Sequence, residues 1–202
     1  MTCCQKSSLF SLSSTDKNKL IALQPIGQYN EERLELIRSR LSAFFNTRVI
    51  TLKPLDIIEK FHTSYNEKYS ADSLLWLLSK IKNDSIIEVI GITHQEIYTH
   101  QKMKVKRGNK SVYLNERIGV YGLGYVSGSS SVISDYKFMT NDEALLNTLI
   151  QKAIIHEIGH NLGLKHCPVE TCVMAEADGN ISNLIKLGND YCTKCRKKLK
   201  RN

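Results

Sequence analysis

The stretch His156-Glu-Ile-Gly-His160-Asn-Leu-Gly163-Leu-Lys-His166 sets more conditions on the fold than any other part of this chain. Four residues advance an α-helix by about 400°, so His156 and His160 stand one turn apart on one face and can grip a single ion only if the segment is helical. Gly163, three residues past His160, is placed to end that helix in a left-handed turn. The chain then has just enough length to bring His166 back beside the other two imidazoles. Upstream, Thr140-Asn-Asp-Glu143 reads as a capping box that opens the helix, and Leu146, Leu149, Ile150 and Ala153 form the stripe that His156 and His160 continue.

Any one of these histidines alone would read as an ordinary core or surface residue. Three in this register form a ligand set with one position left open, which is the pattern of a catalytic zinc rather than a closed structural one. Glu157 lies beside the first histidine, close enough to the open position to take a proton from bound water without becoming a ligand itself. Zinc lowers the pKa of its water to about 7, so a neighbouring carboxylate can make hydroxide at neutral pH and pass the proton to a leaving amine. The pattern predicts peptide-bond hydrolysis with Glu157 as general base.

Four cysteines follow at once: Cys167 directly after the third histidine, then Cys172, with Val173 and Met174 behind it, and later the pair Cys192-Thr-Lys-Cys195. From His156 to Cys195, about a fifth of the chain, the sequence closely resembles the archaemetzincins, a family of metzincin zinc metallopeptidases. Their signature joins the long zinc motif to a CX4C, a Met and a CX2C at these separations. The resemblance implies an α/β fold: a metzincin-like zincin domain with a twisted mixed sheet, an active-site helix and a small C-terminal subdomain carrying a Cys4 zinc knuckle. It implies two Zn²⁺, a catalytic ion on His156, His160 and His166 and a structural one on Cys167, Cys172, Cys192 and Cys195. It makes Met174 the Met-turn residue beneath the catalytic metal. It also implies an edge strand above the cleft that pairs with an extended substrate, for which Val120, Tyr121, Gly122, Leu123 and Gly124, within the run Gly119 to Val126, are the candidates.

Chemistry supports the second zinc independently. Two short-spaced cysteine pairs roughly twenty residues apart suit a tetrahedral thiolate site, and the lack of a secretory signal argues against disulfides. Four thiolates around one Zn²⁺ carry a net charge of about −2, which Lys165, Lys194 and Arg196 are placed to offset.

Elsewhere, the periodicity predicts a strand near Leu20 to Ile26, a helix from about Asn30 to Phe45, a strand from Arg48 to Leu52, a helix over Ala71 to Lys82 and a buried strand from Ile86 to Ile92. That order argues for a largely parallel sheet covered by helices. Two further extended runs, Gly119 to Val126 and Ser131 to Phe138, are separated by a turn-prone Ser-Gly-Ser-Ser and are expected to pair antiparallel at one margin. Gly122, Gly124 and Gly128 suit an edge that another backbone approaches closely.

A length of 202 residues with 42% hydrophobic composition fits one domain. The expected division is a loose segment over 1–18 and a catalytic domain over 19–202, parted near residue 163 into an N-terminal subdomain and a C-terminal subdomain over 164–202. No apolar run is long enough to span a membrane, and the N-terminus lacks a signal-like apolar region, so the expectation is a cytoplasmic protein with Cys3 and Cys4 as exposed thiols. Of the net charge of +8, much sits in the last nine residues, six of them Lys or Arg; these read as a solvated end. The partners expected are a peptide or protein substrate, with no membrane, no specific nucleic acid and a monomeric chain. His62, His94 and His100 read as ordinary residues. Two other classes stay open at this point: a zinc-stabilised module that binds nucleic acid through its basic end, and a metallo-hydrolase of the aminopeptidase type.

Overall fold

Alternation of inward-facing β-branched residues with amphipathic helices sets the element order of the computed structural model, which describes residues 19–56, 62–63, 66–107 and 110–200. The loose segment expected over 1–18, with Cys3 and Cys4, lies outside the described residues. The first half runs β1 (Leu20–Pro25), α1 (Glu31–Phe45), β2 (Arg48–Thr51), β3 (His62–Thr63), β4 (Asn66–Ser70), α2 (Ala71–Ser79) and β5 (Ile86–Thr93). There follow β6 (Ile97–Arg107), β7 (Lys110–Val120), β8 (Gly122–Gly124), β9 (Ser130–Ser134), α3 (Glu143–Asn161), α4 (Ile181–Lys186) and α5 (Thr193–Leu199).

The main sheet has the order β2-β1-β5-β9-β8, parallel except for β8, which pairs antiparallel with β9 at one margin. Its central strands are buried on both faces, and the period-2 rule sorts their side chains between two cores. Ile21, Leu23, Ile90, Ile92 and Ile133 pack with α1 and α3, while Ala22, Val89 and Val132 face the other way, against α2. Residues Leu164 to Leu199 add to the first core through Leu164, Val173, Leu184, Tyr191 and Leu199. Asn30 caps α1, its side chain accepting from the Arg33 N–H at 2.7 Å, with Glu31 and Glu32 in the first turn where the helix dipole favours acids.

The structure corrects two sequence expectations and adds to the picture in two further places. The run Gly119 to Val126 is not one strand: Val120 ends β7 by pairing with Ile97, whereas Gly122 starts β8 by pairing with Ile133, so the chain leaves one sheet for another at Tyr121. The cap of α3 is Asp142, accepting from the Ala144 and Leu145 N–H groups, while the Thr140 hydroxyl accepts from the Asp142 N–H. The basic end is folded into α5, with Cys195 and Leu199 buried and Lys194, Lys197, Lys198 and Lys200 exposed. A second sheet, β3-β4-β6-β7, carries a long β6–β7 hairpin that apolar periodicity alone does not reveal. The sequence from Ile97 to Val120 holds six Lys or Arg and one Glu.

One acid is buried in the main sheet. The Glu88 carboxylate on β5 accepts from the Asn161 side-chain amide of α3 and from the Ser131 hydroxyl, yet burial pushes its pKa up to about 8. A folded-state pKa above the unfolded one means that this group's contribution is fully present below about pH 4.5 and is lost as the pH rises towards 8. Glu88→Gln should therefore be more stable than the wild type at pH 8 by on the order of 3 kcal/mol, with the gap closing towards pH 4.5. Urea unfolding at several pH values checks this; a gap that does not change with pH would overturn it.

Candidate active site

Helix α3 delivers His156, Glu157 and His160 in one turn and a half, and the backbone beyond it returns His166 to the same point. Gly163 has φ 88°, the left-handed turn expected of it, and the Gly163 and Leu164 N–H groups cap the carbonyls of His160 and Gly159. The facing nitrogens of His156, His160 and His166 all lie within 4.8 Å of one another. His156 Nδ1 lies 2.7 Å from the Val173 carbonyl and His160 Nδ1 lies 2.8 Å from the Leu164 carbonyl. A carbonyl can only accept, so both Nδ1 atoms carry the proton and both Nε2 atoms present lone pairs.

Those two Nε2 atoms are 3.1 Å apart. Two lone pairs at that distance repel unless a cation lies between them. Burial and the neighbouring imidazoles hold His156 down to about 4, and burial also lowers His160, so near neutral pH these rings stay unprotonated. Neutral imidazoles with converging lone pairs, each fixed by a hydrogen bond at the other nitrogen, are a donor set suited to zinc. His166 is more exposed, with Nδ1 3.6 Å from the Glu176 carboxylate.

Glu157 is buried beneath the edge strand. Burial pushes its carboxyl up to about 8, while the Gly124 N–H, donating to it, pulls the other way. The glycines of β8 are explained by this contact: a Cβ on Gly122 would lie 2.9 Å from Glu157 Cγ, and one on Gly124 would lie 2.8 Å from the Glu157 backbone oxygen. The close approach expected at this edge thus comes from α3 within the fold.

The cysteines form a second cluster one residue further on. Cys167, Cys172, Cys192 and Cys195 are free thiols whose sulfurs all lie within 4.8 Å, with Cys167–Cys192 and Cys172–Cys195 separations of 3.8 Å. A disulfide requires about 2.05 Å, whereas four sulfurs at about 2.3 Å from a tetrahedral centre sit about 3.8 Å apart. The donor set therefore fits a metal. Burial pushes the Cys192 thiol up, but hydrogen bonds from the Cys195 backbone and the neighbouring thiols outweigh it and bring the pKa down to about 7. Of the residues expected to offset the thiolates, Arg196 bonds the Tyr191 carbonyl at 3.0 Å and pairs with Asp190.

Met174 lies fully buried under α3, and a Cβ on Gly159 would meet its sulfur at 2.3 Å. Gly159 is therefore a site residue that the histidine pattern alone does not single out. Two others escape sequence reading as well. The Tyr191 hydroxyl donates to the Ile155 carbonyl at 2.7 Å, and the buried Lys152 ammonium donates to the carbonyls of Leu184, Ile185 and Leu187 at 3.2, 2.8 and 2.6 Å. Leu184 and Leu187 line a cleft of about 730 Å³ that also takes in the three histidines, Glu157 and the candidate run Val120 to Gly124. Across this cleft the Tyr121 hydroxyl donates to the Gly179 carbonyl at 3.0 Å.

With the geometry established, the chain can be compared with known proteins. A model of peptidase family M54 matches residues 40–201. An archaemetzincin of Archaeoglobus fulgidus is 27% identical over 180 residues, covering 89% of this chain and 98% of that protein. An archaemetzincin of Pyrococcus abyssi is 28% identical over 195 residues, covering 91% and 95%. The crystal structure of the A. fulgidus protein, complexed with malonate, matches with a TM-score of 0.71 at 26% identity, covering 89% of this chain and 99% of that one. That of archaemetzincin from Methanopyrus kandleri shares the fold, with a TM-score of 0.74 at 21% identity and coverage of 93% and 96%.

The contact between β8 and α3 yields a test. Gly124→Ala forces the edge strand off the helix backbone, and should cost about 1–3 kcal/mol of stability together with most of the hydrolytic activity. Wild-type melting and turnover in that variant would show that the contact has slack.

Proposed function

Since this chain belongs to peptidase family M54, the archaemetzincins, and is a zinc metallopeptidase, we propose that His156, His160 and His166 hold its catalytic zinc and that Glu157 is the general base. The observation that carries this reading is the pair of Nε2 lone pairs 3.1 Å apart, each fixed by a carbonyl at Nδ1. When bound, zinc supplies Lewis acidity towards the scissile carbonyl and lowers the pKa of a water to about 7. The Glu157 carboxyl, which burial raises and which the Gly124 N–H and the charge of a bound zinc would together draw back to its ionised form, takes the proton from the attacking water and returns it to the leaving amine.

In this reading the roof of the cleft positions the substrate. The Ser134 N–H donates to the Tyr121 carbonyl at 2.8 Å, and the β8 register then alternates. Gly122 therefore turns its N–H and C=O away from β9, towards the open edge. An extended substrate adds there as a further strand, with Val120, Tyr121, Gly122, Leu123 and Gly124 forming the surface it meets. Met174 supports the site from below as the Met-turn residue, packed against Gly159.

A structural zinc on Cys167, Cys172, Cys192 and Cys195 makes two zinc ions per chain. The knuckle and the catalytic site share a short piece of backbone: the Cys167 N–H donates to the Met174 carbonyl at 2.8 Å, and the residue before Met174 holds His156. We keep the division near residue 163, with 164–202 as the C-terminal subdomain. Cysteines outside any disulfide suit a cytoplasmic chain, where glutathione keeps thiols reduced, and we read the protein as a monomer. No helix among the described residues is long and apolar enough to cross a membrane.

Two measurements test this assignment. Glu157→Gln should retain both zinc ions by elemental analysis yet cleave a peptide library at least ~100-fold more slowly, the scale of a lost general base; cleavage at the wild-type rate would remove Glu157 from the mechanism. Cys192→Ser should lower the zinc content and, by loosening the Val173–Met174 backbone, reduce turnover as well. Full activity with one zinc remaining would uncouple the two sites.

A further inference from the structure

The β6–β7 hairpin is longer than the cleft needs. Its two strands have 11 residues each, about 36 Å of extended chain, and among the described residues outside the hairpin only Tyr69 and Ser70 of β4 pair with it, at Ile97 and Tyr98. In the described structure the rest is a two-stranded ribbon without further sheet neighbours.

Register separates its two faces. Pairs directly opposite share a face, so Tyr98, His100, Lys102 and Lys104 lie with Gly119, Arg117, Asn115 and Tyr113 on one side. The other side carries Met103 opposite Leu114 and Val105 opposite Val112, flanked by Gln101 opposite Glu116 and Thr99 opposite Ile118 towards the root, and the register closes with Arg107 opposite Lys110 at the far end. One face is therefore cationic, and the other bears an apolar patch of Met103, Val105, Val112 and Leu114. The lysines have an ordinary use, since charge on an unpaired ribbon blocks edge-to-edge aggregation. The apolar face has no such use: Met103 is 43% and Val112 39% exposed, with Val105 and Leu114 half-buried. An apolar surface left open along a ribbon marks an interaction site.

The cleft is continuous with this face. Thr99, Gln101, Met103, Ile118 and Val120 all belong to the apolar side by register, and all line the cleft that holds the three histidines. Only His100 and Gly119, near the root of the ribbon, line it from the other side. Resting on the peptidase reading above, we propose that the apolar face of the β6–β7 ribbon is an exosite for the substrate polypeptide. It binds an extended segment with apolar side chains at alternate positions, flanking the segment held over the zinc site. Such a segment has the matching period of two, and its apolar side chains lie against Met103, Val105, Val112 and Leu114 while its backbone stays hydrated. The cleft alone recognises a short peptide; cleft and ribbon together recognise a longer one whose additional part is apolar, a property of unfolded rather than native protein.

The test uses the full chain carrying Glu157→Gln, so that peptides bind without being cut. Two fluorescein-labelled peptides share one core sequence, and the longer adds about ten residues with valine or leucine at every second position. Fluorescence anisotropy should show the longer peptide binding at least fivefold more tightly. Replacing Val105, Val112 and Leu114 together by threonine keeps strand-forming side chains and should collapse that ratio towards one, whereas Lys102→Ser with Lys104→Ser on the opposite face should leave the ratio intact. Equal affinity for the two peptides, or a ratio that survives the threonine variant, overturns the exosite without touching the peptidase reading, which the Glu157→Gln cleavage assay tests separately. Absence of binding by either peptide overturns the exosite as well. A concentration-dependent dimer that the threonine variant abolishes would give the face to a second copy of this chain and would also overturn the proposal.

Discussion

Helix α3 is gripped on two opposite sides within three residues. On one side the edge strand lies so close to Glu157 that only glycine fits at 122 and 124; on the other the Met174 sulfur fills the space where Gly159 has no side chain. These contacts fix the helix along its axis and about it, and the imidazoles of His156 and His160 inherit that precision. Hydrogen bonds from their Nδ1–H groups to the Val173 and Leu164 carbonyls then set the ring orientations. A zinc site needs its ligands held within a fraction of an ångström, and packing of this density supplies that before any metal binds.

Legibility in the sequence followed the range of the interaction. The convergence of His156, His160 and His166, the place of Glu157 and the stop at Gly163, like the close spacing within each cysteine pair, could be read because each depends on a few bonds of intervening chain: a helical turn, a left-handed stop, a short loop. The parallel core strands could be read because their burial writes itself as apolar runs such as Ile86–Thr93. What stayed hidden depends on residues far apart. The break at Tyr121 exists because Val120 finds Ile97 and Gly122 finds Ile133, partners on different sheets, and no local property of the run Gly119 to Val126 announces it. The ribbon is concealed by its own chemistry, for lysines alternate there with Met and Val, and only the register shows that they divide by face. The grip of Lys152 on α4 spans more than thirty residues of sequence, and a lysine in the middle of a helix gives no sign that its ammonium is buried.

Polar groups buried near α3 are not incidental to this arrangement. Glu88 and Asn161 meet between β5 and the end of the helix, and Tyr191 ties its hydroxyl to the Ile155 carbonyl beneath the ligand turn. Each spans two elements that apolar packing alone would allow to slide. Glu88 has its charged form penalised by burial. Its value to the protein lies in fixing where α3 ends against the sheet, directly after the second ligand.

Lys152 stands one helical turn before His156 and holds, through three carbonyls, the end of the short helix whose Leu184 and Leu187 form a wall of the cleft. Wall and ligands are therefore mounted on the same rigid body. Three hydrogen bonds from one ammonium fix the spacing between Leu184 and Leu187 on that wall and the imidazoles one turn further along α3. The opposite wall is carried by the ribbon, whose root is tied elsewhere: the Thr99 hydroxyl donates to Asp72 and the Lys137 ammonium donates to the Gly119 carbonyl. One wall of the cleft is thus fastened to the helix that carries the histidines, and the other to the second sheet and its neighbours.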